Sequence, residues 1–139
     1  MADYSVTAAS VQQSSAAQVQ AGTAGATITA GQAVFKDSTD SNKIKLADCT
    51  VDPSYECVGI AINNASDGQP MDYVVRDLGF NPGFAGAIGD VVILSEAGAL
   101  APVADLSAAD FAVVVGVFTT TSTMNLYLNQ YTRATTVKA

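Results

Sequence analysis

The feature that most constrains this chain is an internal repeat of short apolar segments. The segment AGQAVF at residues 30–35 aligns with IGDVVI at residues 88–93, and each is typical of a turn that leads into a strand. Three further pairs follow in the same order: residues 46–48 with 103–105, residues 58–60 with 115–117, and residues 71–75 with 124–128. The repeat predicts an all-β fold, a small β-barrel or sandwich of about eight strands from two repeated hairpin units.

Local signals add detail to this strand pattern. Gly59 and Gly116 occupy matching positions inside strand-like runs, where a glycine usually marks a bulge or a close backbone approach. Residues 63–68, NNASDG, combine residue types that tolerate or adopt left-handed backbone. This segment therefore predicts a hairpin turn between two strands.

The composition fits one β domain with polar termini. Of the 139 residues 49% are hydrophobic, mostly Ala and Val, while aromatics make up 7% and Trp is absent. Small and β-branched side chains suit pleated sheets. We expect a flexible or extended N-terminal arm at residues 1–22, the duplicated β domain at residues 23–131 and a C-terminal tail at residues 132–139.

The expected arm is rich in Ala, Ser and Gln, and its apolar residues follow no sustained period. A short helix through residues 10–19 is the alternative, although Ser and Thr disfavour it. The isolated apolar residues of the arm are Val6, Val11 and Val19.

Charge and hydropathy argue against nucleic-acid and membrane partners, respectively. The net charge is −7, and the first basic residue is Lys36. Phosphate binding requires clustered Lys and Arg, so a nucleic-acid surface is not expected. The N-terminus lacks the basic and apolar regions of a signal peptide, and no apolar run has the length of a membrane span.

The sequence offers few candidate catalytic residues. The sequence contains no histidine, which removes the commonest general base and the usual partner of a Ser or Cys nucleophile. Asp48, Asp52 and Glu56 lie close together around a proline, but acidic residues in such loops are usually turn residues. Residues 37–42 resemble a calcium loop only faintly, because the glycine and distal glutamate of that pattern are absent. We expect no enzyme activity, no cofactor and no metal site.

Two pairs of side chains leave alternatives open. Cys49 and Cys57 could form a small-loop disulfide, or they are free thiols, one in a loop and one buried at the start of a strand. Phe80 and Phe84 lie in a turn-rich linker between the two repeats. They form either a subunit contact, since aromatics are enriched at interface cores, or a lid over the core of one protomer.

The segments that carry the repeat also carry a family resemblance. Residues 21–35, AGTAGATITAGQAVF, followed by KLAD at 45–48 and VGIAIN at 58–63, resemble the capsid decoration (cement) proteins of tailed bacteriophages. Residues 89–95, 101–105 and 115–117 continue this series, which spans roughly residues 21–128. The order of hairpin, loop and Val-Gly-apolar strand is more distantly similar to the head decoration protein of phage lambda.

This resemblance implies a structural protein of the virion, made in the host cytoplasm. It implies a homotrimer that binds the outer face of the phage capsid and stabilises the shell. The N-terminal arm would then contact the major capsid protein, with Val6, Val11 and Val19 as its candidate anchors. The alternative is a virion-displayed receptor- or glycan-binding module, such as the base of a head fibre, with a pocket rimmed by Phe80, Phe84, Tyr55 or Tyr73.

Overall fold

The computed structural model describes residues 3–51, 53–107 and 110–128, and these residues form an all-β fold. The prediction of the fold class is confirmed: the described part contains nine antiparallel strands and two 3-10 turns. The strand additional to the two repeats is β1, and it begins inside the expected arm. The strands are β1 (Gln18–Thr23), β2 (Ala33–Asp37), β3 (Lys43–Leu46), β4 (Cys57–Ala61), β5 (Pro70–Phe80), β6 (Val91–Leu94), β7 (Leu100–Pro102), β8 (Val114–Phe118) and β9 (Met124–Tyr127).

The strand order reflects the sequence repeat. The sheet runs β3-β2-β4-β5-β9-β8-β6-β7, so the order of the first repeat (β2–β5) is mirrored by that of the second repeat (β6–β9). The two repeats meet where β5 pairs with β9, and β1 pairs separately with β5. The hairpin predicted at residues 63–68 is confirmed, because β4 and β5 pair antiparallel on either side of it.

The turns that open the two repeats are built alike. Gly31 and Gly89 have positive φ angles of 94° and 92°, which an L side chain would strain. Their N–H groups donate to the last residues of β4 and β8, Ala61 and Phe118, each over 2.8 Å. The side chain that closes the turn differs in kind, since the acceptor is an amide in the first repeat and a carboxylate in the second. The two turn-closing bonds run from Thr29 N–H to Gln32 Oε1 and from Ala87 N–H to Asp90 Oδ2.

The two strand glycines lie beside equivalent bulges. Gly59 pairs with Val34 and Gly116 pairs with Val92, and in each ladder the register shifts directly after that pair. A Cβ atom on Gly59 would approach the backbone of β5 to 2.5 Å, and one on Gly116 would approach β9 to 2.6 Å. Glycine at these positions therefore allows a close approach between neighbouring strands.

The ladders also correct two parts of the sequence alignment. Leu46 lies opposite Val34 and Pro102 lies opposite Val92, so Leu46 corresponds to Pro102 and not to Val103. At the end of each repeat, Tyr73 and Met124 are the equivalent residues, because they pair with the equivalent ends of β4 and β8. The errors arose in segments joined by loops of unequal length, which sequence spacing alone does not resolve.

Two apolar cores result, and equivalent residues of the two repeats lie in different cores. The larger core combines residues of the first repeat, such as Phe35 and Ile60, with residues of the second repeat. The smaller core lies under the segment that follows β1, which contributes Ala24 and Ile28. In three equivalent pairs, the residue of the first repeat lies in the smaller core and the residue of the second repeat lies in the larger core. These pairs are Val34 and Val92, Ala61 and Phe118, and Tyr73 and Met124.

Candidate interaction surfaces

The N-terminal segment, residues 3–17, lies along its own domain through main-chain hydrogen bonds. The N–H of Tyr4 donates to the carbonyl of Leu100 on β7 over 2.8 Å, and the N–H of Thr7 donates to Gly83 over 2.9 Å. Gln12 and Asn81 then exchange two backbone hydrogen bonds of 3.0 and 2.9 Å. The segment is extended, with a single 3-10 turn at Ala8–Ser10, so the helix alternative at residues 10–19 is wrong.

A buried carboxylate fastens the end of this segment to β5. Asp77 is fully buried, and its Oδ2 accepts a 2.7 Å hydrogen bond from the Ser14 N–H. Its Oδ1 accepts from the Ser14 hydroxyl and, over 3.0 Å, from the N–H of Gly79. Hydrogen bonds to a charged group are the stronger kind, and a buried carboxylate requires them. Sequence inspection missed this contact because its partners are 63 positions apart.

The three candidate anchors of the arm lie in unlike environments. Val6 and Val11 are half-buried against the turns at Gly31 and Gly83, where an added Cβ would lie within about 3.1 Å of them. Val19 lies on β1 and is 38% exposed. In the described protomer Val6 and Val11 thus contact their own domain. Capsid contact by the three valines stays a prediction.

The two linker phenylalanines pack within the protomer, Phe80 in the larger core and Phe84 in an aromatic cluster with Tyr4 and Phe118. Phe80 is fully buried in the larger core. Phe84 is half-buried and stacks on Tyr4 at 4.1 Å between ring centroids, and it meets Phe118 edge-on at 5.7 Å. Burial raises the pKa of the Tyr4 phenol, and the carboxylate of Asp90 raises it further. A subunit contact through Phe80 and Phe84 stays a prediction, although the Phe80 ring reaches no surface of this protomer.

Tyr4 was not among the residues selected from the sequence, yet both its N–H and its ring contact the domain near the start of the N-terminal segment. A signal was present, since Tyr4 is the only aromatic residue before Phe35. Of the other two aromatics considered for a ligand pocket, Tyr55 and Tyr73 are both buried. Tyr55 stacks on Phe111 at 3.9 Å.

In the loop that faintly resembles a calcium site, the acidic side chains are paired with a lysine of the same chain. Asp37 and Asp40 form ion pairs with the Lys45 ammonium at 2.8 and 3.0 Å. The hydrogen bond from Lys45, with a second from Thr39, lowers the pKa of Asp37 to about 2. The loop is the β2–β3 hairpin turn, and the described residues include no group of three or more metal-ligating side chains.

The acidic group around Pro53 shows turn chemistry where the structure describes it. Oδ1 of Asp48 accepts hydrogen bonds from the N–H and the hydroxyl of Thr50, at 2.9 and 2.6 Å. Asp52 lies outside the described residues, and Glu56 is half-buried. Absence of enzyme activity stays a prediction.

Both cysteine thiols are free and buried. Cys57 opens β4 and donates a weak hydrogen bond of 3.5 Å to the carbonyl of Gly59. Burial raises the pKa of Cys49 and of Cys57 to about 12 in each case. Of the two alternatives, the structure therefore has the free thiols.

Fold and surfaces together define a class: an all-β domain made from a duplicated four-strand unit and strapped by its own N-terminal segment. No helix within the described ranges has the length and apolar character to cross a membrane. No protein-family model and no curated protein matches the chain.

Among solved structures, the chain is similar to the N base of head fiber gp8.5 in bacteriophage phi29, with 16% sequence identity and a TM-score of 0.47. The likeness covers 82% of this chain and 95% of that chain. A likeness of this extent carries no conclusion about function.

Proposed function

We propose that the protein is a structural component of a tailed-phage head, which binds the outer capsid surface as a homotrimer and stabilises the shell. The observation that carries the proposal is the ordered series of segments that resembles the capsid decoration proteins. Those segments fall on β1 to β4 and on β6 to β8, so the resemblance follows the strand framework of both repeats.

The surface of β1 supports a capsid-binding role. Five of its six residues are exposed, and in the described sheet it pairs with β5 alone. A strand in this position can accept a strand of a coat protein through main-chain hydrogen bonds, which make few demands on side chains. This would account for the bland Ala, Ser and Gln composition of the arm.

The charge of the chain supports the same role. A net charge of −7 keeps a protein soluble at the high copy number that a shell component requires. Repeated weak contacts over a symmetric shell then add through effective concentration, so that no single contact needs to be strong.

Co-sedimentation with empty expanded heads that lack the protein tests the proposal. We expect the full chain to bind at a fixed saturating ratio and to raise the temperature at which the heads rupture. Val19→Glu, on the exposed strand β1, should weaken binding, whereas Val51→Glu, at a somewhat more exposed valine outside the sheet, should not. If the wild-type chain fails to sediment with the heads at any concentration, the proposed function is wrong.

A further inference from the structure

The second repeat presents an apolar groove on its outer face. We define this outer face by the residues that line the groove, which holds about 300 Å³. Val117 is 36% exposed and Tyr127 is 49% exposed, and Leu78 on the adjacent β5 is 63% exposed. The groove is lined by Val114, Gly116, Val117, Asn125 and Tyr127.

The same face of the first repeat is covered by the chain itself. Since Gly59 and Gly116 are equivalent, Val114 and Val117 correspond to Cys57 and Ile60. Cys57 and Ile60 are buried in the larger core, where the second repeat packs on them. The second repeat keeps valine at both positions, although Val117 remains exposed in the described part of the chain. This face therefore has the side chains of a packing surface.

The groove also contains an unsatisfied polar atom. Oδ1 of Asn125 is enclosed and accepts no hydrogen bond from the described residues. Asn125 lies directly opposite Val117 in the β8–β9 ladder, so its side chain points to the same outer face. A buried acceptor without a donor is unfavourable.

The charge distribution favours a second copy of this chain as the partner. Copies that each carry a net charge of −7 repel one another wherever their carboxylates meet. None of the five residues that line the groove is charged, and the guanidinium of Arg76 lies 4.6 Å above the Tyr127 ring at its side. Acidic copies can therefore approach here without placing carboxylates against each other.

We infer that the outer face of the second repeat is the contact between copies of this chain. The inference rests on the homotrimer of the proposed function and names the surface that forms it. Within the protomer, the equivalent face of the first repeat is already buried in a contact between two repeats.

Sedimentation velocity of the full chain and its variants tests the inference. We expect the wild type to sediment as an oligomer. Val117→Glu and Leu78→Glu should each lower the association constant roughly 100-fold or more, because each substitution buries an unpaired carboxylate at the contact. Val103→Glu is the matched control, since Val103 is similarly exposed at 45% but lies on the turn after β7. Circular dichroism and thermal unfolding establish that every variant is folded.

The outcomes separate this inference from the proposed function. A monomeric wild type, or folded Val117→Glu and Leu78→Glu variants that associate as the control does, overturns the inference. Variants that stay oligomeric but lose binding to heads assign the face to the coat protein, which also overturns it. If the two variants dissociate while no form of the chain binds heads, the inference stands and the proposed function is wrong.

Discussion

Replacing either strand glycine by alanine should destabilise the fold through a clash with the neighbouring strand. In Gly59→Ala the new Cβ would lie 2.5 Å from the carbonyl oxygen of Val74, and in Gly116→Ala it would lie 2.6 Å from that of Asn125. Ordinary contacts of a Cβ atom begin near 3.4 Å, so the strands must separate locally by about 0.8–0.9 Å. Hydrogen bonds fix the spacing of strands, which makes this separation unfavourable.

The expected loss is that of an overpacked site, about 1–3 kcal/mol in the free energy of unfolding for each variant. For a chain of this length that corresponds to a fall in Tm of roughly 3–10 °C. Urea denaturation followed by circular dichroism measures it, with the slope m unchanged if the native fold is kept.

Gly79→Ala is the matched control within the same sheet. A Cβ atom at Gly79 would lie 3.5 Å from the Cβ of Ser14, an ordinary contact, and the backbone there has no positive φ. This variant should change the stability by less than about 1 kcal/mol. If Gly59→Ala and Gly116→Ala are as stable as Gly79→Ala, close strand approach is not the reason for these glycines.

The remaining predictions concern single groups. The Lys45 hydrogen bond lowers the pKa of Asp37 from 3.8 to about 2, so its contribution to stability is present above pH 3.8 and is lost as the pH falls through about 2; carboxyl NMR should show this low value, and Lys45→Met should raise it. Both cysteine thiols have a pKa raised to about 12 by burial, so a thiol reagent at pH 8 should label the protein only after unfolding, and rapid labelling of the folded chain would contradict this. Ser14→Ala should lower the free energy of unfolding by about 1–3 kcal/mol, because Asp77 loses a donor, while the exposed neighbour Ser15 can be changed to alanine without measurable effect.

The strand framework could be predicted because it depends on local patterns. Each repeat shows its turn glycine, its apolar runs and its bulge glycine in the same order, and the ladders follow that order. Gly59 and Gly116 are the clearest case, since matching sequence positions predicted matching close approaches.

The course of the N-terminal segment could not be predicted, because its contacts join residues far apart in sequence. Nothing near Ser14 indicates that Asp77 will accept its hydrogen bonds, and nothing near Tyr4 indicates that its ring will stack on Phe84. The main-chain hydrogen bond from Tyr4 to Leu100 depends on no particular side chain, so composition does not indicate it. A bland polar segment can therefore be either loose or firmly attached.

The sequence also could not predict which face of each repeat packs against the other repeat. Val34 and Val92 are both valines and occupy equivalent positions of the two repeats, yet they lie in different cores. Strand periodicity identifies the two faces of each repeat but does not say which face meets the other repeat, since both faces carry apolar residues. Only the packing of the two repeats decides this.

The two faces of the four-strand unit have different roles, so the unit is directional. The face of the first repeat that carries Cys57 and Ile60 packs on the second repeat, while Ala24 and Ile28 cover the opposite face of the first repeat. A series of such units packed in this way leaves the equivalent of the Cys57 face uncovered on its last unit, however many units it contains. A longer chain with a third unit after β9 would bury Val117 and present the uncovered groove on the third unit, so the number of units could be varied by protein engineering.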